Sequence, residues 1–114
     1  MKDFADKVAL ITGAGSGIGR ALSLELAEKG CNLALVDWNE DSLEETKQLL
    51  RKKNVAVSTH AFDISDKEKV TALPDEVIEF HKQIDLVFNN AGLSIVGTVN
   101  EVDEDDWNWG LNIL

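Results

Sequence analysis

The 114-residue sequence has one cysteine, one proline, no tyrosine and no apolar run approaching the length of a membrane span. The lone Cys31 has no partner, which excludes an internal disulfide and fits a reducing compartment. A bilayer crossing needs about twenty consecutive apolar residues. The opening MKDFADKVALITG instead carries charges at Asp3, Asp6 and Lys7 before a short apolar stretch. Neither a signal peptide nor a membrane span is expected, and the chain reads as soluble and cytoplasmic. Cations are scarce as well: 11 Lys and Arg stand against 21 Asp and Glu, a formal net charge of −10. A field of that sign repels nucleic acid and anionic membrane, so neither is an expected partner. The apolar and charged fractions, 44% and 28%, are those of an ordinary globular domain, and the length accommodates one.

Along the chain the apolar period alternates between two kinds of segment. KVALIT (7–12), NLALVD (32–37), VAVSTHAF (55–62) and DLVFNN (85–90) read as buried strands. Between them the spacing is helical. Ile18, Ala21, Leu22, Leu26 and Ala27 form a first stripe, closed by Lys29 and Gly30. Leu43, Thr46, Leu49 and Leu50 form a second, capped by Asn39 or Asp41. Val70, Leu73, Val77 and Ile78 form a third, opened by a capping box of Ser65 with Glu68. Pro74 is expected to kink or interrupt that third helix, because it lacks the N–H of the helical ladder. Strands alternating with helices predict an α/β fold, a Rossmann-type doubly wound parallel sheet. The expected strand order is 3-2-1-4, with a ligand over the carboxyl ends of the first and fourth strands, where the order reverses.

ITGAGSGIGR (11–20) follows the first strand and opens the first helix. It does not fit G-x-G-x-x-G, since the third glycine would fall on Ile18 or Arg20. It fits T-G-x-x-x-G-x-G, through Thr12, Gly13, Gly17 and Gly19. In that pattern Gly13 permits the turn off the strand, Gly17 lets backbone approach a phosphate, and Gly19 lets helix pack on strand. The N-terminal N–H groups of the helix then favour an anion. A P-loop is excluded because Arg20 and Ala21 follow the last glycine where lysine and a hydroxyl are needed. On the loop alone, a methyltransferase-type glycine turn and a turn that binds nothing stay open. Asp37 adds context: it ends the second strand 18 residues after Gly19, close to the place of the acid that grips ribose hydroxyls. An acid there repels a 2′-phosphate, and neither Ser16 nor Trp38 supplies a compensating cation. NAD is therefore the expected cofactor in preference to NADP.

Four motifs in order, TGAGSGIG, Asp37, the Asp63–Ile64 pair and NNAG (89–92), resemble the short-chain dehydrogenase/reductases over essentially the whole chain. The resemblance implies that Gly13, Ser16, Gly17, Ile18 and Gly19 line the pyrophosphate and nearby ribose. It implies Asp37 on the adenosine ribose, Trp38 beside the adenine, Asp63 facing the adenine amino group and Ile64 packing on the ring. It also implies that Asn90, Ala91 and Gly92 lie along the ribose while Asn89 braces the sheet. Full members of that family transfer hydride with a serine, a tyrosine and a lysine, the last two spaced Y-x-x-x-K. This chain has no tyrosine, and none of Ser16, Ser23, Ser42, Ser58, Ser65 or Ser94 matches the catalytic position. A family asparagine expected seven residues after the tryptophan of EDDW meets Leu114, with Asn112 two residues early.

The expectation is thus one partial NAD-binding domain over 1–114, an oxidoreductase cofactor portion with no catalytic residue and no turnover of its own. A non-catalytic nucleotide-binding or subunit-interaction module is the alternative. A sheet cut after its fourth strand leaves LVFNN as an edge open to self-association or pairing with another subunit. No metal site is expected: His60 and His81 lack ligand spacing and read as packing or solvation, and EVDEDDW reads as a solvated helix start. Cys31 reads as a small core residue.

Overall fold

A computed structural model describes residues 4–90. In chain order it contains β1 (Val8–Thr12), α1 (Gly17–Glu28), β2 (Asn32–Asp37), α2 (Glu40–Leu49), β3 (Val57–Ala61), α3 (Lys67–His81) and β4 (Leu86–Asn89). The four strands form one parallel sheet in the order β3-β2-β1-β4, the order expected of a doubly wound sheet. Central β1 pairs Leu10 with Ala34 of β2 and with Val87 of β4. The register brings Thr12, Asp37, Ala61 and Asn89 to one end of the sheet. There, between β1 and β4, the winding reverses.

The strands are aliphatic throughout because helices cover both faces. On one face Ala9, Ile11, Leu33 and Leu35 pack with Leu26 and Ala27 of α1 and Leu43 of α2. On the other, Val8, Leu10, Ala34 and Val36 pack with Val70, Leu73 and Val77 of α3. Cys31, immediately before β2, is fully buried, as a small core residue should be, and burial pushes its thiol up to about 11.

Several local expectations are corrected. Ser65 does not cap α3; Asp66 does, its carboxylate accepting from the Lys69 N–H at 3.3 Å. The helix runs uninterrupted through Pro74, because Val70, Leu73 and Val77 anchor the turns on either side of the missing hydrogen bond. The stripes also shift. Ile18, Leu49 and Ile78 are exposed at 76%, 52% and 44%, and Ala21 is exposed too, while Ser23 and Gly19 take the inward positions of α1. Buried Ser23 is accommodated by donating its hydroxyl to the Gly19 carbonyl at 2.7 Å. β3 is shorter than 55–62, beginning at Val57. Ahead of it, the Asn32 side chain accepts from the Ala56 N–H at 2.9 Å.

Candidate functional site

The turn between β1 and α1 is built from both of its ends. Gly13 adopts φ 65°, and the Ala14 N–H returns to the Val36 carbonyl at 3.1 Å, so the chain leaves β1 while still tied to β2. Ser16 precedes the helix in extended backbone, with no side-chain cap bond. Gly17 follows with φ 57°, and a Cβ there would meet nothing within 4 Å. Gly19 is the opposite case: a Cβ would lie 2.0 Å from the Gly13 carbonyl oxygen, so only glycine lets α1 pack this closely against the turn. The first turn of α1 carries no acidic side chain. Its N–H groups and positive dipole end therefore face an open, exposed surface at Ser16, Gly17 and Ile18.

Asp37, at the end of β2, is fixed against this turn. One carboxylate oxygen accepts from the Gly15 N–H at 2.8 Å and the other from the Asn39 N–H at 3.1 Å. An ionised carboxylate offers about four acceptor positions, so roughly two stay available to a ligand's hydroxyls. A Cβ at Gly15 would meet Ser42 Cβ at 2.7 Å and Asp37 Oδ2 at 2.8 Å, so a side chain there would displace the Asp37 carboxylate or the start of α2. Beside Asp37 a 70 Å³ cleft is lined by Gly13, Asp37, Trp38, Phe62, Asp63 and Ile64. Trp38 stands 75% exposed at its rim. Ile64 is half-buried and joins the α3-side core, as does Phe62. Asp63 accepts from the Ser65 N–H at 2.9 Å; that bond, then one from the Ser65 hydroxyl, holds its carboxyl below the usual range.

The fourth strand closes the site on the far side of β1. The Thr12 hydroxyl donates to the Asn89 side-chain carbonyl at 2.8 Å and accepts from the Asn90 N–H at 3.0 Å. Asn89 is 1% exposed, so it braces the sheet while Asn90 begins the exit from it. Ala91, Gly92, Ser94, Asn112 and the EVDEDDW segment lie outside the described residues.

The structure therefore gathers Gly13, Ser16, Gly17, Ile18, Gly19, Asp37, Trp38, Asp63, Ile64 and Asn90 along one end of the sheet. Sequence reasoning missed Gly15 and Phe62 there. Gly15 was visible in the motif as one of its unassigned glycines; Phe62 gave no signal beyond following the third strand.

A second polar cluster lies elsewhere, at the outer edge of β3. The Ser58 Oγ is 2.8 Å from His60 Nε2 and 2.9 Å from His81 Nε2, and His60 Nδ1 is 3.2 Å from a Glu76 oxygen. A hydroxyl has one proton, so it donates to one imidazole and accepts from the other. Burial lowers the His81 pKa, partly opposed by a bond to the Leu33 backbone and reinforced by neighbouring His60. These histidines do more than pack: they join α3 to β3. Among the described residues no group of three His, Cys, Asp or Glu side chains is arranged to hold a metal, and no helix is long and apolar enough to cross a membrane.

A parallel sheet that reverses at β1/β4, with a glycine turn feeding a helix N-terminus at the reversal, defines a nucleotide-binding α/β protein of the doubly wound class. Within that class the chain belongs to the short chain dehydrogenase family, whose model matches residues 7–113. It is 36% identical over 104 residues to meso-2,3-butanediol dehydrogenase of Serratia marcescens, covering 91% of this chain and 41% of that protein. It resembles a short chain dehydrogenase/reductase from Burkholderia phymatum solved in complex with NAD, at 40% identity and TM-score 0.77 over 99% of this chain and 41% of that one. L-sorbose reductase from Gluconobacter frateurii, solved with NADPH and L-sorbose, is similar at 33% identity and TM-score 0.74 over 96% and 43%. The chain spans about two fifths of the length of the curated relatives it matches and corresponds to their N-terminal, nucleotide-binding region.

Proposed function

We propose that this chain binds NAD as the cofactor portion of an alcohol/carbonyl oxidoreductase. The observation that carries the reading is the Asp37 carboxylate locked to the Gly15 N–H at 2.8 Å. It puts a hydroxyl-gripping anion beside the phosphate cradle, where a 2′-phosphate would be repelled. Gly13, Ser16, Gly17, Ile18 and Gly19 take the pyrophosphate and its ribose. Asp37 takes the adenosine ribose, and Trp38, Asp63 and Ile64 the adenine. The ribose contact implied for Asn90, Ala91 and Gly92 completes the assignment. The relatives solved with NAD and with NADPH leave the family's cofactor mixed, and Asp37 is what tips this chain toward NAD.

The same chain has no tyrosine to act as general acid or base on a substrate oxygen. By itself it binds without turnover, and hydride transfer belongs to assemblies or longer chains that supply that group. A nucleotide-binding or subunit-pairing module is the second reading, favoured by β4, which among the described strands pairs only with β1. Its outer edge is the surface for another strand, from a second copy or another segment. The single buried thiol suits a cytoplasmic setting.

Calorimetry with NAD, NADP and AMP tests the reading. NAD and AMP should bind weakly and NADP more weakly still, and Asp37→Ala should erase the preference for NAD over NADP. No heat of binding at millimolar NAD would refute it. Turnover by the purified chain with NAD and secondary alcohols would refute the inert half of the proposal.

A further inference from the structure

Arg20 follows the last glycine of the turn, yet its guanidinium does not face the cradle. It crosses from the first turn of α1 to α2. Nε donates to the Thr46 hydroxyl at 2.9 Å, and one terminal nitrogen donates to the Gly15 carbonyl at 2.5 Å, to the Ser42 carbonyl at 3.2 Å and to Glu45 Oε1 at 3.1 Å. Thr46, fully buried, hydrogen-bonds in turn to the Ala14 carbonyl at 2.9 Å. Gly15 is thus held from both ends, its N–H by Asp37 and its C=O by Arg20. The peptide bonds described are all trans. Across a trans peptide the N–H points opposite to the C=O. Drawing the Gly15 carbonyl toward α2 therefore aims the Ser16 N–H away from α2, toward the exposed side of the turn.

We propose that Arg20 and Thr46 are positioning residues for the dinucleotide: a clamp from α2 that sets the Gly15–Ser16 peptide so that its N–H faces a pyrophosphate. Arg20 acts here through the turn rather than as a phosphate ligand, because its Nε and one terminal nitrogen are turned onto Thr46, Glu45 and the carbonyls of Gly15 and Ser42. The clamp rests on the NAD reading for its ligand but not for its geometry. It also makes α2, which contributes no residue to the cradle, part of the cofactor site.

Amide exchange by NMR on the ligand-free chain tests the geometry, and calorimetry tests its use. In Arg20→Met and Thr46→Val the Gly15 N–H should exchange about tenfold faster, while core amides of Leu10 and Leu35 keep their protection. NAD and ADP-ribose should each bind about tenfold more weakly, while adenosine, which lacks the pyrophosphate, binds as before. Arg20→Lys keeps the charge without the fork and should recover little of the NAD affinity. It answers the same question if Arg20→Met loses its fold. Unchanged Gly15 exchange would overturn the clamp. So would NAD and adenosine weakening together, full recovery by lysine, or faster exchange with undiminished NAD affinity. Failure of the unaltered chain to bind NAD would remove the ligand reading, and the exchange result would still decide the clamp.

Discussion

On the face covered by α1 and α2, polar groups gather at the carboxyl ends of the strands. On the face covered by α3, they gather at the outer edge of β3. Both faces are aliphatic in the middle, and both helical layers are anchored by small and mid-sized aliphatic side chains. The margins differ in kind. Arg20, Thr46 and Asp37 direct hydrogen bonds onto the Ala14 carbonyl and the N–H and carbonyl of Gly15, fixing the shape of one turn. Ser58, His60, His81 and Glu76 are joined to one another side chain to side chain, through shared protons. A network that holds backbone resists change around neutrality, whereas one made of imidazoles changes with pH.

Substitutions at the two margins should separate these behaviours. Gly19→Ala is expected to be the most damaging, costing about 3 kcal/mol or abolishing the fold, because the added carbon would meet backbone 2.0 Å away rather than a side chain that can move. Urea denaturation of the variant measures it, and a loss below about 1 kcal/mol would mean that α1 is not locked against the turn. Leu73→Ala, at the centre of the α3 face, should cost about 2 to 3 kcal/mol by leaving a cavity. If the two margins are independent, its effect on NAD affinity should be no larger than its effect on the folded fraction.

Ser58→Ala should cost about 1 kcal/mol, since it leaves two imidazole nitrogens without their common partner. The smallest effect is the pH dependence of the α3 margin. The His81 pKa is lowered from 6.5 in the folded chain, so the unfolded chain takes up the proton first as pH falls. Stability from this group is fully present above pH 6.5 and declines as pH drops below it, until the folded pKa has also been passed. Thermal melts from pH 8 to 5 should show a gentle fall of Tm in that window, shallower in His81→Gln. A slope unaffected by the substitution would assign the dependence to carboxylates elsewhere.

Much of the α1/α2 margin was legible in the sequence, because its signals are local. Gly13, Gly17 and Gly19 sit at fixed offsets from a strand, and Asp37 at a fixed distance from them. The strand order follows from the alternation together with the doubly wound dinucleotide-binding pattern that the glycine turn announces. What escaped depends on distances no local pattern encodes. Arg20 reaches Thr46 across 26 residues of sequence, and Thr46 looked like one more position in an apolar stripe. Ser58 meets His81 across 23 residues, so two histidines without metal spacing read as unrelated. The α3 cap moved by one residue because Ser65 and Asp66 are both good caps, and the chain's path from Asp63 chose between them. Leu49 and Ile78 each adjoin a buried residue, Leu50 and Val77, from which the helix turns them by about 100°, and both are exposed.

The thiol of Cys31 turns the core into its own clock. Reagents attack the thiolate, and this sulfur is wholly enclosed with a pKa raised to about 11. Labelling therefore requires the core packed around Cys31 to open, and its rate counts opening events rather than surface chemistry. With no second cysteine in the sequence, every label reports the same place. The time a thiol reagent takes to react thus measures how long the sheet stays shut, and any nucleotide that occupies the turn should lengthen that time in proportion to how firmly it is held.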